Sequence, residues 1–401
     1  MKNNNRRNFI KKSFLGISGA AILPKTIKNY CNSININTSE LPSRTLGKTG
    51  LKIPMISLGA SGASEPAFVK AAYNAGIKLF FSATYYGEGN NEKLVGEGLK
   101  GLPRDSFIVG TAVSAGEHDN RSGLLKTSLD INEYIRKAEI SLARFGLEYV
   151  DILLFPYASK RATVLDDNLL KAMEQLKKQG KTRFTGIASH GNMDEALRAA
   201  ADSGVYDVAM ITYNFKVNPA ESLNSAIDYA TGKGLGVVAM KTTAGAFNTK
   251  SGSAINTDAA FKWVLKNEKI TSIVSGMTTI EQMQKNLSMI QNINLSEQEL
   301  KELGLAAAKH EYGLFCRQCR QCEGQCPYNL DIPAIMRSYM YAYGYRNMEQ
   351  AWHTLVAAGV KSSPCDNCDE CNVQCSAGFN VKNKISDISR LAKVPEEFIL
   401  S

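Results

Sequence analysis

Two short runs of cysteine constrain this chain more than any other feature, because eight of its nine cysteines lie in them. Successive cysteines of each run are separated by three, three and four positions, and the first run ends in Cys-Pro. This is the spacing of the bacterial [4Fe–4S] ligand run, in which one loop supplies thiolates to several corners of a cubane. We therefore predict two [4Fe–4S] clusters. The predicted ligands are Cys316, Cys319, Cys322, Cys326, Cys365, Cys368, Cys371 and Cys375.

Two other chemistries use cysteines at short spacing. Pairs of C-x-x-C form zinc sites with four thiolate ligands, and small secreted domains use cysteines as a disulfide framework. The longer last step and the Cys326-Pro327 ending favour the cubane over zinc. The ligand-like spacing argues against disulfides.

Composition and charge exclude several classes of function. The chain has 401 residues, of which 44% are hydrophobic and 21% charged, as is usual for a soluble protein with one large and one small domain. No run of about 18 apolar residues is present, so we expect no membrane span. Seven positive charges precede Glu40, the first acidic residue, and they account for most of the net charge of +9. With no basic, aromatic-interleaved patch elsewhere, we expect no nucleic-acid partner.

The N-terminus is typical of an export signal. Asn5-Arg6-Arg7-Asn8-Phe9-Ile10-Lys11 resembles the twin-arginine motif, and the apolar stretch 14–23 that follows is too short to span a bilayer. The twin-arginine route carries folded proteins, which suits clusters that must be inserted inside the cell. We predict export to the periplasm, with 24–40 as a loose linker and Cys31 as a bystander.

Short apolar runs alternate with amphipathic segments through the middle of the chain. Eight such units in about 240 residues predict an α/β fold, a (β/α)8 TIM barrel. In this fold the functional groups lie at the C-terminal ends of the strands. The predicted strands are 56–59, 77–82, 107–112, 150–155, 184–189, 207–212, 235–241 and 271–275, and the helices between and after them are 65–75, 90–100, 130–146, 167–180, 192–203, 221–233, 257–268 and 279–290.

Several segments of the barrel resemble the aldo-keto reductase family. Arg44-Thr-Leu-Gly-Lys-Thr-Gly-Leu51 is similar to its opening, and Gly76-Ile-Lys-Leu-Phe-Phe-Ser-Ala-Thr-Tyr-Tyr-Gly87 to its second strand and catalytic loop. The likeness covers about residues 41–300 and implies members that carry a C-terminal iron–sulfur domain. Further matching segments are Tyr149–Leu154, Gly180–Ile187, Val237–Lys241 and Ser275–Met277.

The resemblance implies a catalytic Tyr supported by Lys, Asp and His, but this chain keeps only the Tyr. By gapless counting the Tyr is Tyr86, whereas Phe81, Ala112 and Pro156 stand at the Asp, Lys and His positions. A lone phenol has a pKa near 10 and lacks the groups that tune it. The nicotinamide-binding positions have also changed, so we do not expect the standard NADPH mechanism or a bound NADP. The nicotinamide positions are Ala188, Ser189, Met210 and Met240, and Gln282 stands where the family has an arginine that contacts the adenosine phosphate.

Other residues near the strand ends are candidates for chemistry. Lys241 ends the seventh strand and is a candidate partner for Tyr86. His118 and His190 follow the third and fifth strands, where each is either an acid–base group or an ordinary loop histidine.

The segment that follows the eighth strand is a candidate anion site. Ser275, Gly276 and Thr278 precede a helix, so free backbone N–H groups could hold an anion there. The alternative is an ordinary helix N-cap.

The cysteine-rich part resembles the helical two-cluster ferredoxin domain, in which the fourth cysteine of each run serves the other cluster. The resemblance therefore implies that Cys375 joins the first run and Cys326 the second. Ser376 replaces the second proline, which leaves a single intact cluster open. Residues 334–358, rich in Met, Tyr and Ala, are interpreted as a helical hairpin over the clusters.

The resulting domain prediction is a signal and linker at 1–40, a barrel at 41–308 and a ferredoxin-like domain at 309–401. The leading functional hypothesis is an exported oxidoreductase that relays electrons through its clusters to or from a small molecule, with a redox partner protein. The alternatives are a non-catalytic binding or electron-carrier module and an NADPH-dependent reductase.

Overall fold

The structure, a computed structural model, describes residues 41–399 except 116–117, 120–121, 218–219, 247, 250–251, 254, 309–313, 367 and 369. The predicted export signal and Cys31 lie outside the described residues. Glu40–Ser401 form one compact unit, so the barrel and the cysteine-rich part pack on each other within it.

Eight parallel strands close into a barrel in which each strand pairs with the next and the last with the first. The strands are apolar runs because helices cover their outer faces and side chains fill the interior. The predicted (β/α)8 barrel is confirmed. The strands are β1 Ile56–Gly59, β2 Leu79–Ala83, β3 Ile108–Ala112, β4 Val150–Phe155, β5 Thr182–Ser189, β6 Val208–Thr212, β7 Gly236–Met240 and β8 Ile270–Ser275.

Helices follow the strands, and many begin at a side-chain cap. Asp130, Asp166, Asn256 and Thr279 each accept a hydrogen bond from the backbone N–H three residues on, which satisfies a donor that the first turn leaves unpaired. These caps explain why the helices start where the sequence predicts. The helices are α1 Pro66–Asn74, α2 Asn90–Leu99, α3 Ile131–Phe145, α4 Asp167–Lys178, α5 Met193–Ser203, α6 Ala220–Gly232, α7 Thr257–Lys266, α8 Ile280–Met289 and α9 Glu297–Ala308, with a short helix at Arg161–Val164.

A hairpin closes the N-terminal end of the barrel. Its strands, Ser43–Thr45 and Lys52–Pro54, are antiparallel, and Leu46 and Ile53 are fully buried against the barrel interior. Arg44 donates hydrogen bonds to the carbonyl oxygens of Leu265, Asn267 and Ile270 at 2.6–3.1 Å. With this end closed, the opposite end is the one available for chemistry.

The cysteine-rich part is built on α10 Ile332–Tyr339, α11 Met348–Ala357 and α12 Val381–Ser389. A π-helical turn, Met340–Gly344, continues α10 toward α11. The apolar core of this part includes Ala244 from the loop after β7. None of the described helices is long and apolar enough to cross a membrane.

Candidate active site and iron–sulfur ligands

The open end of the barrel is completed by the cysteine-rich part. Lys241, which follows β7, donates a 2.8 Å hydrogen bond from Nζ to Oη of Tyr341 in the π-helical turn. The ammonium also lies 4.1 Å from the centre of the Tyr341 ring and 5.4 Å from that of Tyr345. The structure thus pairs Lys241 with a tyrosine of the cysteine-rich part, and no contact is found between the described side chains of Lys241 and Tyr86.

The environment of Lys241 favours its neutral amine. Burial, and secondarily the positive charge of Arg337, lower the pKa of Lys241 from 10.5 to about 7. The backbone of Lys241 also has a φ of +57°, in the left-handed region that costs roughly 1–3 kcal/mol for a non-glycine residue. A lysine near its titration midpoint at neutral pH is suited to hold or release a proton.

Three tyrosines line the same end of the barrel. The rings of Tyr85 and Tyr86 lie 5.1 Å apart, and those of Tyr85 and Tyr157 lie 5.7 Å apart. Burial raises the pKa of each phenol, and for Tyr86 the neighbouring phenol of Tyr341 raises it further. The three groups therefore stay protonated at neutral pH, as proton donors must.

The two candidate histidines both lie near the ring of Tyr157. His118 stacks on the Tyr157 ring at 5.6 Å, whereas the His190 ring centre lies 6.4 Å from it. His190 Nδ1 lies 3.4 Å from Oγ1 of Thr212. Burial, followed by the charges of Lys241 and Arg337, lowers the pKa of His190 well below its usual value, so its imidazole is neutral.

Five of the residues at the positions implied for the family's catalytic and nicotinamide-binding groups form an apolar floor. Phe81, Ala112, Ala188 and Met210 belong to one buried cluster, against which Met240 packs. The fit is tight, because a side chain at Gly110 would meet the Phe81 ring at 2.4 Å. These side chains carry no charge and no hydrogen-bond donor for a substrate carbonyl or a nicotinamide amide.

The segment predicted as an anion site serves as a helix cap. Thr279 caps α8, and the backbone N–H of Thr278 donates to Oε1 of Gln282 at 2.8 Å. Ser275 Oγ accepts from Asn286 Nδ2 at 3.3 Å. These contacts describe the alternative that the sequence left open, a capped helix start.

A small cleft opens between the barrel and the first cysteine run. Four of the residues that line it have positive φ angles between 48° and 62°, although none is glycine. Such strained backbone concentrates at functional sites. The residues with positive φ are Tyr157, Asn192, Gln318 and Arg320, and the rest of the lining comprises Ser159, His190, Gly191 and Arg337.

Four cysteines line a second cavity. Cys326 comes from the first run, whereas Cys365, Cys368 and Cys371 come from the second. Burial, followed by the neighbouring thiols, raises the pKa of Cys365 to about 11. This grouping is the one that the two-cluster resemblance implies for one cluster.

The remaining four cysteines are also neighbours. Burial raises the pKa of Cys316 to about 12, and the thiols that raise it further are those of Cys322, Cys375 and Cys319. Cys319 Sγ lies 3.0 Å from Oγ of Ser376, the residue in place of the second proline. Among the described residues, no group of three or more His, Cys, Asp and Glu side chains is placed to hold a metal ion.

Known proteins resemble both parts of the chain. Residues 59–258 match the family model of the aldo/keto reductase family, and residues 315–380 match that of a 4Fe-4S dicluster domain. L-galactose dehydrogenase of Arabidopsis thaliana is 27% identical over 311 residues, 66% of this chain and 94% of that protein. L-glyceraldehyde 3-phosphate reductase of Escherichia coli (strain K12) is 24% identical over 341 residues, 69% of this chain and 95% of that protein.

Solved structures support the fold. An aldo-keto reductase from Klebsiella pneumoniae in complex with NADPH has a TM-score of 0.53 at 21% identity, covering 66% of this chain and 94% of that one. The holo form of a Bacillus halodurans aldo-keto reductase has a TM-score of 0.54 at 18% identity, covering 66% and 96%. The similarities indicate an oxidoreductase in which residues 59–258 match an aldo/keto reductase domain and residues 315–380 match a 4Fe-4S dicluster domain.

Proposed function

We propose that this protein is an exported iron–sulfur oxidoreductase in which electrons pass between [4Fe–4S] clusters and a small molecule bound at the open end of the barrel. The observation that carries the proposal is the 2.8 Å hydrogen bond from Lys241 to Tyr341. Through it the cysteine-rich part contributes directly to the place where a barrel of this type has its functional groups. A redox module built into that place favours chemistry shared by the two parts.

The cysteines fit two clusters. We propose that Cys326, Cys365, Cys368 and Cys371 hold one cluster, and that Cys316, Cys319, Cys322 and Cys375 hold the other. Four thiols that line one cavity are the donor set that a cubane needs. When bound, such clusters supply one-electron transfer.

Tyr86 and Lys241 are the proposed acid–base groups. The phenol of Tyr86 is held protonated and half-buried at the end of β2, and Lys241 titrates near neutrality. Tyr341 interacts with both groups, because it accepts a hydrogen bond from Lys241 and helps to raise the pKa of Tyr86. In this arrangement Tyr86 donates a proton to the bound molecule, and Lys241 with Tyr341 sets the local charge.

The apolar floor supports a mechanism without NADPH. Phe81, Ala112 and Met210 offer no hydrogen bonds with which to orient a nicotinamide, and orientation accounts for much of catalysis in such a site. The competing function, an NADPH-dependent reductase, is favoured by the similarity to an aldo-keto reductase solved with NADPH. Titration of NADPH fluorescence separates the two, since an unchanged signal at millimolar protein removes the NADPH enzyme.

Export and a partner complete the proposal. The twin arginines Arg6 and Arg7 favour delivery to the periplasm, where the NADPH pool of the cell is absent. Electrons must then come from or go to another redox protein.

Anaerobic reconstitution followed by EPR spectroscopy tests the proposal. We expect a reducible cubane signal from the full-length protein, and its absence would overturn the electron relay. The remaining alternative is a non-catalytic binding or carrier module. Turnover that disappears in Tyr86→Phe and Lys241→Ala would exclude that alternative.

A further inference from the structure

Two arginines line the cleft between the barrel and the first cysteine run. The side chain of Arg337, on α10, makes no hydrogen bond or ion pair with any other residue that the structure describes. Arg320, on the facing loop, is paired with Glu323. Arg337 is therefore the cation of the cleft wall whose donors remain available.

The charge of Arg337 acts on the groups around it. It lowers the pKa of Lys241 and His190, and it also lowers that of Tyr341, in opposition to burial. The acid closest to Arg337 along the chain, Asp331, caps α10 by accepting from the backbone N–H of Ala334. Two acids follow the cleft residue Asn192 and are also engaged: Asp194 accepts from Ser222 Oγ and Glu195 from the backbone N–H of Arg161.

The rest of the lining supplies neutral hydrogen-bonding groups. His190 is held as a neutral imidazole, and Ser159, Asn192 and Gln318 present hydroxyl and amide groups. An arginine with available donors among a few neutral polar groups is the usual composition of a site that orients a small polar ligand.

We propose that this cleft binds a small organic anion, a carboxylate or a phosphate ester, with the guanidinium of Arg337 as its anchor. The fork of N–H donors of an arginine matches both oxyanions in a bidentate manner. This inference deepens the proposed function. It rests on that function for one point, which is that the bound anion is the substrate. The walls of the cleft come from the barrel on one side and the first cysteine run on the other, so the ligand would contact both parts.

Calorimetric titration of the anaerobically reconstituted full-length protein tests the cleft. The probes are inorganic phosphate and succinate, and glycerol serves as the uncharged control. We expect heat of binding from at least one anion and none from glycerol. Binding of phosphate alone or of succinate alone assigns the class, and binding of neither at millimolar concentrations overturns the inference.

Variants locate the bound anion. We expect Arg337→Gln to weaken binding by roughly tenfold or more, because the variant loses the charge-assisted hydrogen bonds to the anion. Arg337→Lys keeps the charge, and we expect its affinity for the anion to lie between those of the wild type and Arg337→Gln. The matched control is Arg390→Gln, whose side chain is 81% exposed and pairs with Asp387. Unchanged binding in Arg337→Gln overturns the inference, and if that variant does not fold, the wild-type titration and Arg337→Lys still decide.

The outcomes separate this inference from the proposed function. EPR spectroscopy of the same samples reports whether the clusters are reducible, independently of binding. If the clusters are reducible but neither anion binds, the electron relay is supported and the anion site in the cleft is contradicted. If no reducible cluster signal is seen but an anion binds through Arg337, the relay is contradicted and the anion site is supported.

Discussion

Lys241 Nζ donates a hydrogen bond of 2.8 Å to Tyr341 Oη, although the two residues are one hundred positions apart. The first end of this bond belongs to the barrel and the second to the cysteine-rich part. The bond therefore reports on whether the two parts act as one site.

Tyr341→Phe should lower the pKa of Lys241 below its value of about 7, because the ammonium loses a hydrogen-bond acceptor but keeps the ring beneath it. Competitive acylation across a pH series, with mass spectrometry of the Lys241 peptide, measures this midpoint against that of ordinary lysines near 10.4. Tyr343→Phe is the matched control, since Tyr343 is 47% exposed. A wild-type midpoint near that of ordinary lysines would contradict the burial argument.

The same shift predicts a pH dependence of stability. The pKa of Lys241 in the folded protein lies below its unfolded value, so the unfolded chain binds more protons between about pH 7 and pH 10. The free energy of unfolding should therefore gain a stabilising contribution as pH rises through this window. In Lys241→Met that contribution disappears, and urea unfolding at pH 7 and pH 9 measures the difference. If the free energy of unfolding depends on pH in the same way in the wild type and in Lys241→Met, the predicted contribution of Lys241 is contradicted.

Crossed ligation predicts the iron content of cysteine variants. Cys375→Ala and Cys326→Ala should each lose one cluster, lowering iron from about eight to about four atoms per chain. Each variant should lose the cluster formed mainly by the other run. Cys31→Ser, outside both runs, is the control and should keep all the iron. EPR of the two centres shows which cluster each variant has lost. If either variant loses the cluster formed mainly by the run that contains the replaced cysteine, crossed ligation is contradicted.

Much of the fold could be predicted from the sequence because local patterns determine it. The third strand is expected at 107–112 and found at Ile108–Ala112, and the fourth helix is expected at 167–180 and found at Asp167–Lys178. Apolar runs specify buried parallel strands, and caps such as Asp166 fix where helices begin. Strand ends could in turn be used to place Tyr86 and Lys241 at the open end of the barrel.

The partner of Lys241 could not be predicted, because it depends on packing between distant segments. The sequence near residue 340 indicates only that its tyrosines lie on a helical hairpin over the clusters. In the structure these tyrosines form two separate groups. Tyr339 and Tyr343 stack on each other at 4.4 Å, whereas Tyr341 and Tyr345 lie beneath Lys241. The π-helical turn at Met340–Gly344 sets this division, and no local sequence rule predicts such a turn. Arg337 was missed for the same reason.

The apolar floor predicts that restoring a family-like residue fails. Phe81→Asp buries a carboxylate in a cluster without a partner, whereas Phe81→Ala alone should cost about 3–5 kcal/mol. We expect Phe81→Asp to lower the free energy of unfolding, measured in urea, by at least as much as Phe81→Ala. We also expect it to gain no NADPH-dependent turnover. Phe81→Leu is the conservative control. A stable Phe81→Asp protein that reduces carbonyl compounds with NADPH would contradict this account of the floor.

A second variant tests the packing of that floor. Gly110→Ala should cost about 1–3 kcal/mol, since the added Cβ would lie 2.4 Å from the Phe81 ring. The same change in a Phe81→Leu background should cost less, because the smaller side chain makes room. A double-mutant cycle by urea unfolding measures the coupling between the two residues. Additive effects would show that Phe81 and Gly110 do not pack as described.

Export depends on the two arginines in the proposed route. Replacing Arg6 and Arg7 together by lysine keeps the charge but removes the twin-arginine motif. We expect the variant to remain in the cytoplasm with its clusters inserted, as fractionation and iron analysis would report. Lys11→Arg is the matched control and should be exported normally. Equal periplasmic amounts of the variant and the wild type would exclude this route.

Tyr86 carries the proposed proton transfer, and its neighbour Tyr85 provides a close control. The two rings lie 5.1 Å apart and burial raises the pKa of both phenols, so they differ mainly in position. With reduced viologen as electron donor and a panel of carboxylate-bearing aldehydes and ketones, Tyr86→Phe should lower turnover by about 10²–10⁴-fold. Tyr85→Phe should have a much smaller effect. Neither change touches a cysteine, so cluster EPR should be unaltered in both variants, which separates loss of proton transfer from loss of electron supply. Equal turnover in wild type and Tyr86→Phe would assign the proton to another donor, and the neutral His190 would then be the next residue to replace.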